Sequence, residues 1–420
     1  MMKVVDICIS EFIFRLDKIK ADISYTTFFH FSLPIHTAQM EFTSSSEAFK
    51  SLSVTNEDAQ KIIAAHRRDV NLIVSSLEEV LDQSYRYVQV TNVRVGLEIS
   101  HPYVSYSTKI KSYRVELSSD SVAPTSYLLV VSLPPTKTSD YSFNALATIK
   151  DLNTKIASQT SIPLPQYHDL DTRMTLVPFQ YILFSSPPTD GIVLSDARKS
   201  NQLSDKANAR IDLQLGLYLR QLHAIQNDWF GLPTEDGRDP MDPSYSWQES
   251  MTLFLETILM DLESLTANKG GLDLPFEDIR KALSRAIGFF LFDDVEVPSL
   301  IGYTISEEDI LITIPPSSED EPQVVMFPLP IRALWGDPMM ETLFMPPGPS
   351  RALLEAYTDG GGPLFVFARQ KTKRLWYTLF LAGMVLVEAS AQQDRNEEMA
   401  AWAKETLWEC TQKLKDAPCY

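Results

Sequence analysis

Glycine is scarce in this sequence and unevenly placed. The chain has 420 residues but only 15 glycines, about half the number that an average usage of roughly 7% would give. Before Gly191 the only glycine is Gly96. Loops that cradle phosphate with backbone N–H groups, of the GxGxxG or GxxxxGK[ST] kind, need several glycines close together. The first half of the chain therefore offers neither a dinucleotide-binding fingerprint nor a P-loop.

Cysteines and long apolar runs are also few. Cys8, Cys410 and Cys419 occur without CxxC or Cys/His spacing, so we expect free thiols in a reducing compartment and no structural zinc site. The longest apolar stretch, 375–387, has 13 residues, whereas a membrane span needs about 20. Charged residues interrupt the apolar segment 4–16, which excludes a continuous signal-peptide core. The sequence predicts a soluble, cytoplasmic protein.

Positive charge is in deficit. The chain has 55 acidic and 37 basic residues, for a net charge of -18. Such a field repels phosphate polymers and anionic membrane surfaces, so we expect neither a nucleic-acid nor a membrane partner. The apolar content of 44% is ordinary for a globular chain, and the length allows two or three domains.

The spacing of apolar residues divides the chain into a strand-rich first part and a helical second part. A helix is predicted over 47–81 and another over 146–156, because apolar residues recur there at intervals of three and four. Segments rich in Tyr, Val, Ile and Thr predict strands at 85–95, 103–115, 127–133, 174–179 and 181–185.

After residue 209 the apolar period becomes about 3.6 residues. One long helix is predicted to carry Leu213, Leu217, Leu219 and Leu222, and others cover 251–262 and 375–387. A proline-containing connector lies at 185–190. These features together predict an α+β protein with two lobes.

Several segments resemble one known family in their order and spacing. Segment 209–233, ARIDLQLGLYLRQLHAIQNDWFGLP, predicts a helix that ends in LxxLH and is followed by an aromatic, phenylalanine, glycine turn; IPLP occurs at 162–165 and RALWGDP at 332–338. These motifs resemble the aminoglycoside phosphotransferase-like kinases, particularly their large fungal branch, over residues 100–400.

The resemblance implies a two-lobed protein-kinase-like fold. Residues 1–80 would then be a partly helical N-terminal extension, 81–188 a strand-rich N-terminal lobe, and 189–420 a helical C-terminal lobe. The family's chemistry is phosphoryl transfer, which requires a lysine on the phosphates, a glutamate that orients the lysine, a catalytic aspartate, and Asn and Asp ligands for Mg²⁺.

The residues at the corresponding positions depart from this pattern. Aligned with the family's catalytic loop, segment 300–312, LIGYTISEEDILI, has Tyr303 before the catalytic position, Thr304 at it, and Asp309 in place of the metal-binding asparagine. Counting back from RALWGDP, Leu329 takes the place of the principal metal-binding aspartate. Apolar side chains cannot coordinate a hard cation that requires oxygen ligands.

The first lobe departs in the same way. The strand YLLVVSLPP at 127–135 matches the one that carries the lysine, with Val131 at or beside that position, and Ala145 lies nearest the glutamate. A positioned general base alone is worth about 10² to 10⁴ in rate, so conventional kinase activity is not expected. We interpret the ancestral site as dismantled.

A few residues remain candidates for a site. Tyr303, Thr304, Leu329 and Val131 are expected to line the former cleft. Asp309 is the candidate cation ligand. Lys109 and Lys111 lie two apart and so on one face of a predicted strand, where either could replace the missing lysine as a nucleotide-binding group. His223, at the end of LxxLH, and Asp337, in GDP, are expected to be structural.

These observations favour a catalytically degenerate, pseudokinase-like protein that binds a small, largely apolar molecule in the former interlobe cleft and needs no cofactor. It would serve as a binding protein or as a non-phosphotransfer enzyme of fungal specialised metabolism. One alternative is an ATP-dependent small-molecule phosphotransferase that uses substitute residues with ATP and Mg²⁺. A second is a non-catalytic interaction protein that docks a protein partner through residues 1–80.

Overall fold

Strands dominate the first part of the fold and helices the second. The computed structural model describes residues 54–67, 73–79, 110–118, 125–132, 141, 143–186, 190–234, 240–269, 273–315, 321–345, 348–358, 368–391 and 397–419. All of them belong to one structural unit, Ser46–Tyr420. We call 54–186 the first lobe and 190–419 the second lobe.

The first lobe contains two helices and five strands among its described residues. They are α1 (Asn56–Arg67), β1 (Ile73–Glu79), β2 (Ile110–Ser118), β3 (Thr125–Ser132), α2 (Leu146–Gln159), β4 (Tyr167–Asp171) and β5 (Gln180–Ser185). The strands form one antiparallel sheet in the order β1-β2-β3-β5-β4.

Each face of this sheet is covered by one helix, because apolar residues on the central strands alternate between its two sides. Leu129 and Val131 pack with α1 in one cluster. Leu128 and Val130 pack with α2 in another. We call these the α1 face and the α2 face of the sheet.

The second lobe consists mainly of helices, with two small antiparallel sheets. Its elements are β6 (Ile192–Val193), α3 (Leu194–Lys199), α4 (Asp205–His223), α5 (Trp247–Lys269), α6 (Phe276–Gly288), β7 (Ser299–Ile301), β8 (Leu311–Thr313), β9 (Gln323–Met326), β10 (Leu334–Gly336), α7 (Arg351–Thr358), α8 (Ala368–Ala391) and α9 (Glu397–Asp416). The sheets are β6-β8-β9 and β10-β7. Side chains of α5, α6, α8 and α9 form the largest apolar core.

The α+β organisation predicted from the sequence is confirmed, and so are several of its elements. α2, β5, α4 and α5 cover their predicted positions, and β3 covers the described part of its predicted segment. The apolar stretch 375–387 lies within the buried part of α8. Among the described helices, none combines the length and the hydropathy that crossing a membrane requires.

Other predictions need correction. Residues 73–79, predicted as helix, form β1 and pair with β2. Residues 174–179, predicted as a strand, are irregular: Met174 has a positive φ of 56°, and the neighbouring strand is β4. On α4, Leu213 and Leu217 are 39% and 38% exposed. The predicted Leu219 and Leu222 are buried, together with Ile211 and Leu215.

The boundary at residue 80 also moves. Helix α1 packs on the sheet, and β1 is one of its strands, so residues 54–79 belong to the first lobe rather than to an extension. The predicted strand at 85–95 lies outside the described residues.

Candidate functional site

The two lobes meet at segment 327–333, between β9 and β10, which we call the crossing segment. Ile331 is 3% exposed and packs into the apolar cluster on the α2 face of the first-lobe sheet. Its partners there are Ile110, Leu128, Val130, Leu146, Ile149, Ile182 and Phe184. Leu329 is half-buried against the same cluster, together with Phe143, Tyr167 and Leu170. An apolar contact therefore occupies the position where the resemblance implies a metal-binding aspartate.

Asn144 fastens the crossing segment to the start of α2. Its side-chain amide Nδ2 donates to the carbonyl oxygens of Pro330 (3.0 Å) and Ala333 (3.2 Å). Its backbone N–H donates to the carbonyl oxygen of Ile331 at 2.8 Å. Asn144 is buried, so these bonds are shielded from water and are costly to break.

The C-terminal end of α2 is also joined to the second lobe. Leu152 and Ile156 lie in an apolar cluster with side chains from α3 and α4. Beyond the helix, the backbone N–H of Ser161 donates to Oε1 of Gln221 on α4 at 2.7 Å. The Lys155 ammonium lies 4.8 Å from the centroid of the Trp335 ring. Helix α2 is thus bound to the second lobe at both ends.

The loop at 302–310 turns its first side chains into the second-lobe core. Tyr303 is fully buried, its ring lies 6.5 Å from that of Phe380, and its hydroxyl donates to the carbonyl oxygen of Tyr141 at 3.2 Å. Burial raises the pKa of Tyr303. Thr304 is 2% exposed. Both were expected to line the cleft, but their burial leaves almost none of their surface for a ligand.

The acidic residues of this loop face helices α3 and α4. Glu307 forms an ion pair with Arg198, which also binds Asp212. Glu308 pairs with Lys199 at 3.3 Å. Burial raises the pKa of both glutamates, although the neighbouring cations oppose that effect. The sequence gives no sign that these α3 cations pair with the loop, because they lie 109 residues away along the chain.

Asp309 lies at the end of the same loop. It is 7% exposed, and its Oδ2 accepts from the Ser306 hydroxyl at 2.9 Å. Within the part of the chain that the structure describes, no group of three or more His, Cys, Asp or Glu side chains is placed to hold a metal ion.

The lysine position of the first lobe depends on the register of β3. Val131 packs on the α1 face of the sheet, away from α2. The next residue, Ser132, is buried and by alternation lies on the α2 face. Lys111 shares its side of β2 with Tyr113, which packs on the α1 face. Lys109 lies outside the described residues. The structure therefore brings neither Val131 nor Lys111 to the crossing segment.

The glutamate position lies at the start of α2. Ala145 is the N-cap residue of this helix and is half-buried. The polar residue that reaches the second lobe here is its neighbour, Asn144. An asparagine just before a helix is an ordinary capping signal, so the sequence gives no sign that its amide would bind another segment.

His223 connects α4 to the loop. Its Nε2 lies 3.3 Å from Oε2 of Glu341, and its Nδ1 lies 2.8 Å from the Tyr357 hydroxyl. The same glutamate oxygen accepts from the backbone N–H of Gly302 at 3.0 Å. Burial raises the pKa of Glu341, while its bonds to His223 and to the backbone oppose the shift. His223 is a buried residue with polar partners, as expected.

Asp337 is an anchor within the second lobe. Its Oδ2 accepts from the Lys373 ammonium at 2.9 Å and from the Tyr377 hydroxyl at 2.6 Å. Its Oδ1 accepts from the backbone N–H of Met339 at 2.9 Å. These partners explain the structural role predicted for GDP.

Solved structures of kinases share this fold. A putative aminoglycoside phosphotransferase from Ralstonia eutropha JMP134 superimposes with a TM-score of 0.53 at 10% identity, over 87% of this chain and 99% of that chain. A thermostable mutant of aminoglycoside phosphotransferase APH(4)-Ia, in a ternary complex with AMP-PNP and hygromycin B, gives 0.52 at 13% identity, over 86% and 100%. The apo form of a thermostable mutant of the same phosphotransferase gives 0.50 at 14% identity, over 86% and 99%.

These similarities confirm the two-lobed kinase-like fold predicted from the sequence. At such low identity they establish the fold alone. No protein-family model matches the sequence, and neither does any curated protein.

Proposed function

We propose that this chain is a kinase-fold protein that does not transfer phosphoryl groups and binds a small, largely apolar molecule between its lobes. The observation that carries the proposal is the packing of the crossing segment. Leu329 and Ile331 meet an apolar cluster at the place where a phosphotransferase needs carboxylate oxygens for Mg²⁺.

The buried loop supports the loss of phosphoryl transfer. A threonine hydroxyl cannot accept a proton near neutral pH, and Thr304 is also almost fully buried. Glu307 and Glu308 could replace a missing base only by giving up their ion pairs with Arg198 and Lys199. These contacts argue against an ATP·Mg²⁺ site of the family's kind among the described residues.

The edge of the interlobe contact supports an apolar ligand. Leu329, Phe143 and Leu170 are only half-buried, so part of their apolar surface faces outward beside the crossing segment. Apolar side chains with a few polar groups are what lines most sites for small molecules. The protein would act as a binding protein or as a non-phosphotransfer enzyme of fungal specialised metabolism. The buried thiols of Cys410 and Cys419 support a reducing, cytoplasmic location.

Two titrations test the proposal. The first is calorimetric titration of the purified protein with ATP, with and without millimolar Mg²⁺, for which we expect no Mg²⁺-dependent binding. The second uses the neutral fluorescent probe N-phenyl-1-naphthylamine. Leu329→Asp should weaken probe binding at least about tenfold, which is the 1.4 kcal/mol expected for losing about 55 Å² of apolar contact.

Leu213→Asp is the matched control. It places the same charge at an exposed leucine on α4, outside the clusters that surround the crossing segment, so probe binding should not change. Mg²⁺-dependent ATP binding, or equal probe binding by wild type and Leu329→Asp, would overturn the proposal.

The alternative is an ATP-dependent small-molecule phosphotransferase. Its support is the fold shared with aminoglycoside phosphotransferases and the carboxylate of Asp309 at the metal-binding asparagine position. Lys109 or Lys111 would then have to reach the phosphates. Under this alternative, Asp309→Ala abolishes Mg²⁺-dependent turnover, whereas Ser306→Ala removes the hydroxyl partner of Asp309 but leaves its carboxylate in place. Equal turnover in wild type and Asp309→Ala would exclude it.

A further inference from the structure

Two histidines face each other on the α1 side of the first-lobe sheet, away from the crossing segment. His66 lies in the last turn of α1, and His168 lies on β4. Their ring centroids are 5.2 Å apart, with 45° between the ring planes. Both side chains are half-buried, so solvent still reaches the pair.

The local structure explains why His168 points at α1. The pairing of β4 with β5 shifts between Tyr167 and Asp169, and such a bulge redirects the side chain at the irregular position. Tyr127 of β3 packs edge-on against both imidazoles, at 6.0 Å from His66 and 5.4 Å from His168. Tyr127 is buried, so its packing holds the two imidazole rings beside each other.

From this geometry we propose that His66 and His168 together bind a divalent transition-metal ion of the zinc class. Imidazole nitrogen binds such an ion at about 2.0 to 2.1 Å, which puts the metal about 3.2 Å from each ring centroid. At a tetrahedral angle the two centroids would then be about 5.2 Å apart. The observed separation is 5.2 Å.

The surroundings suit a cation bound by neutral imidazoles. Each imidazole must present an unprotonated ring nitrogen to the ion, so binding should weaken as the pH falls and the rings become protonated. The C-terminal end of α1 adds the negative end of a helix dipole next to His66. Among the described residues, no third His, Cys or carboxylate completes a group of three. Water would fill the remaining coordination positions, so we expect a weak and exchangeable site.

A bound ion would join the end of α1 directly to β4. These two elements are about a hundred residues apart in the chain, and Tyr127 of β3 packs against a histidine from each of them. An ion that binds the folded state alone stabilises it according to its concentration and affinity. The site is independent of the proposed ligand between the lobes.

Thermal unfolding and calorimetry with NiCl₂ test the site in the full-length protein. At a Ni²⁺ concentration of about 100 times the dissociation constant, the melting temperature should rise by about 3 °C. Calorimetry should give a stoichiometry of one Ni²⁺ ion for the pair His66 and His168, and ZnCl₂ should displace the Ni²⁺. His66→Gln and His168→Gln should each lose this binding step, whereas His101→Gln, outside the described residues, should retain it.

Electron paramagnetic resonance with CuCl₂ gives a readout that does not depend on stability. Wild type should show coupling to two imidazole nitrogens from this site, and each single variant should lose the two-nitrogen coupling. Circular dichroism checks that the variants are folded. The proposal is overturned if wild type binds none of the three ions, or if both variants bind them as wild type does.

Discussion

The strongest test of how the lobes are joined is the replacement of Asn144 by aspartate. The two side chains have nearly the same shape, so the packing around α2 is conserved. In the wild type, Nδ2 of Asn144 lies 3.0 Å from the carbonyl oxygen of Pro330 and 3.2 Å from that of Ala333. The change replaces this donor by an oxygen that would face both carbonyls. Three acceptors would then meet in a buried site without a donor.

The expected loss of stability follows from these contacts. Asn144→Ala removes the donor and leaves two buried carbonyl oxygens without it, at about 1 to 3 kcal/mol each, so we expect a loss of at least about 2 kcal/mol in the free energy of unfolding. Asn144→Asp adds a buried charge and repulsion from both carbonyls, so its loss should reach about 3 to 5 kcal/mol.

The aspartate variant also has a characteristic pH dependence. The carbonyls and the burial raise the folded-state pKa of the introduced carboxyl above its unfolded value of about 3.9. The destabilisation is therefore largest above the folded-state pKa, and it decreases as the pH falls through that value, because a protonated carboxyl can again donate one hydrogen bond.

Urea unfolding of wild type and both variants between pH 4 and 8 measures these differences. Asn201→Asp is the control, since Asn201 is exposed and its replacement should change stability by less than about 0.5 kcal/mol. The account of the interlobe contact is refuted if Asn144→Asp loses less than about 1 kcal/mol at pH 7, or less than Asn144→Ala.

Three further predictions concern separate parts of the fold. Gly216→Ala should lower the free energy of unfolding by about 2 kcal/mol, because the added Cβ would overlap the carbonyl oxygen of Leu353 on α7; an unchanged urea midpoint would contradict this. The pKa of Asp171 is lowered because, although burial opposes it, Thr175 donates to the carboxylate through its hydroxyl and its N–H. Asp171 therefore stabilises the fold above its ordinary pKa of 3.8, and this contribution is lost as the pH falls through its lowered pKa. The free energy of unfolding of wild type should exceed that of Asp171→Asn at pH 7, but not at a pH below the lowered pKa of Asp171. A difference between the two proteins that stays constant with pH would contradict this. Leu213→Glu should change the urea midpoint by the equivalent of less than about 0.5 kcal/mol, since the side chain is partly exposed; a loss of about 2 kcal/mol or more would indicate a buried leucine instead.

The sequence predicts an element well when the spacing of its apolar residues matches the face that the element buries. Helix α2 has apolar residues at helical spacing and buries them. Strand β1 was predicted wrongly, because Ile73 and Leu77 are four residues apart, a spacing that indicates a helix when the segment is considered alone. Pairing with β2, which is distant in the chain, decides the outcome. On α4, Leu213 and Leu217 are as apolar as the buried leucines, so only the direction of the core distinguishes them.

The candidate site was harder to predict because it depends on register and on distant partners. A shift of one residue along β3 moves a side chain to the other face of the sheet, which separates Val131 from Ser132. The loop carboxylates were visible in the sequence, but their partner Arg198 was not. Asn144 could be identified only once the crossing segment was seen beside it.

The packing of the crossing segment also limits where a ligand can bind between the lobes. A molecule that separates this segment from α2 must expose Ile331, at about 1.5 to 3 kcal/mol for its buried side chain, and break the Asn144 bonds, at about 0.5 to 1.5 kcal/mol each. A ligand shifts an equilibrium only by its difference in affinity for the two states, so such a molecule would lose a factor of at least about 100 in apparent affinity. A molecule that binds along the half-buried edge formed by Leu329 and Phe143 leaves those contacts in place. We therefore expect ligand binding to depend strongly on Leu329 and weakly on Ile331, so that Ile331→Val should change stability more than it changes probe affinity.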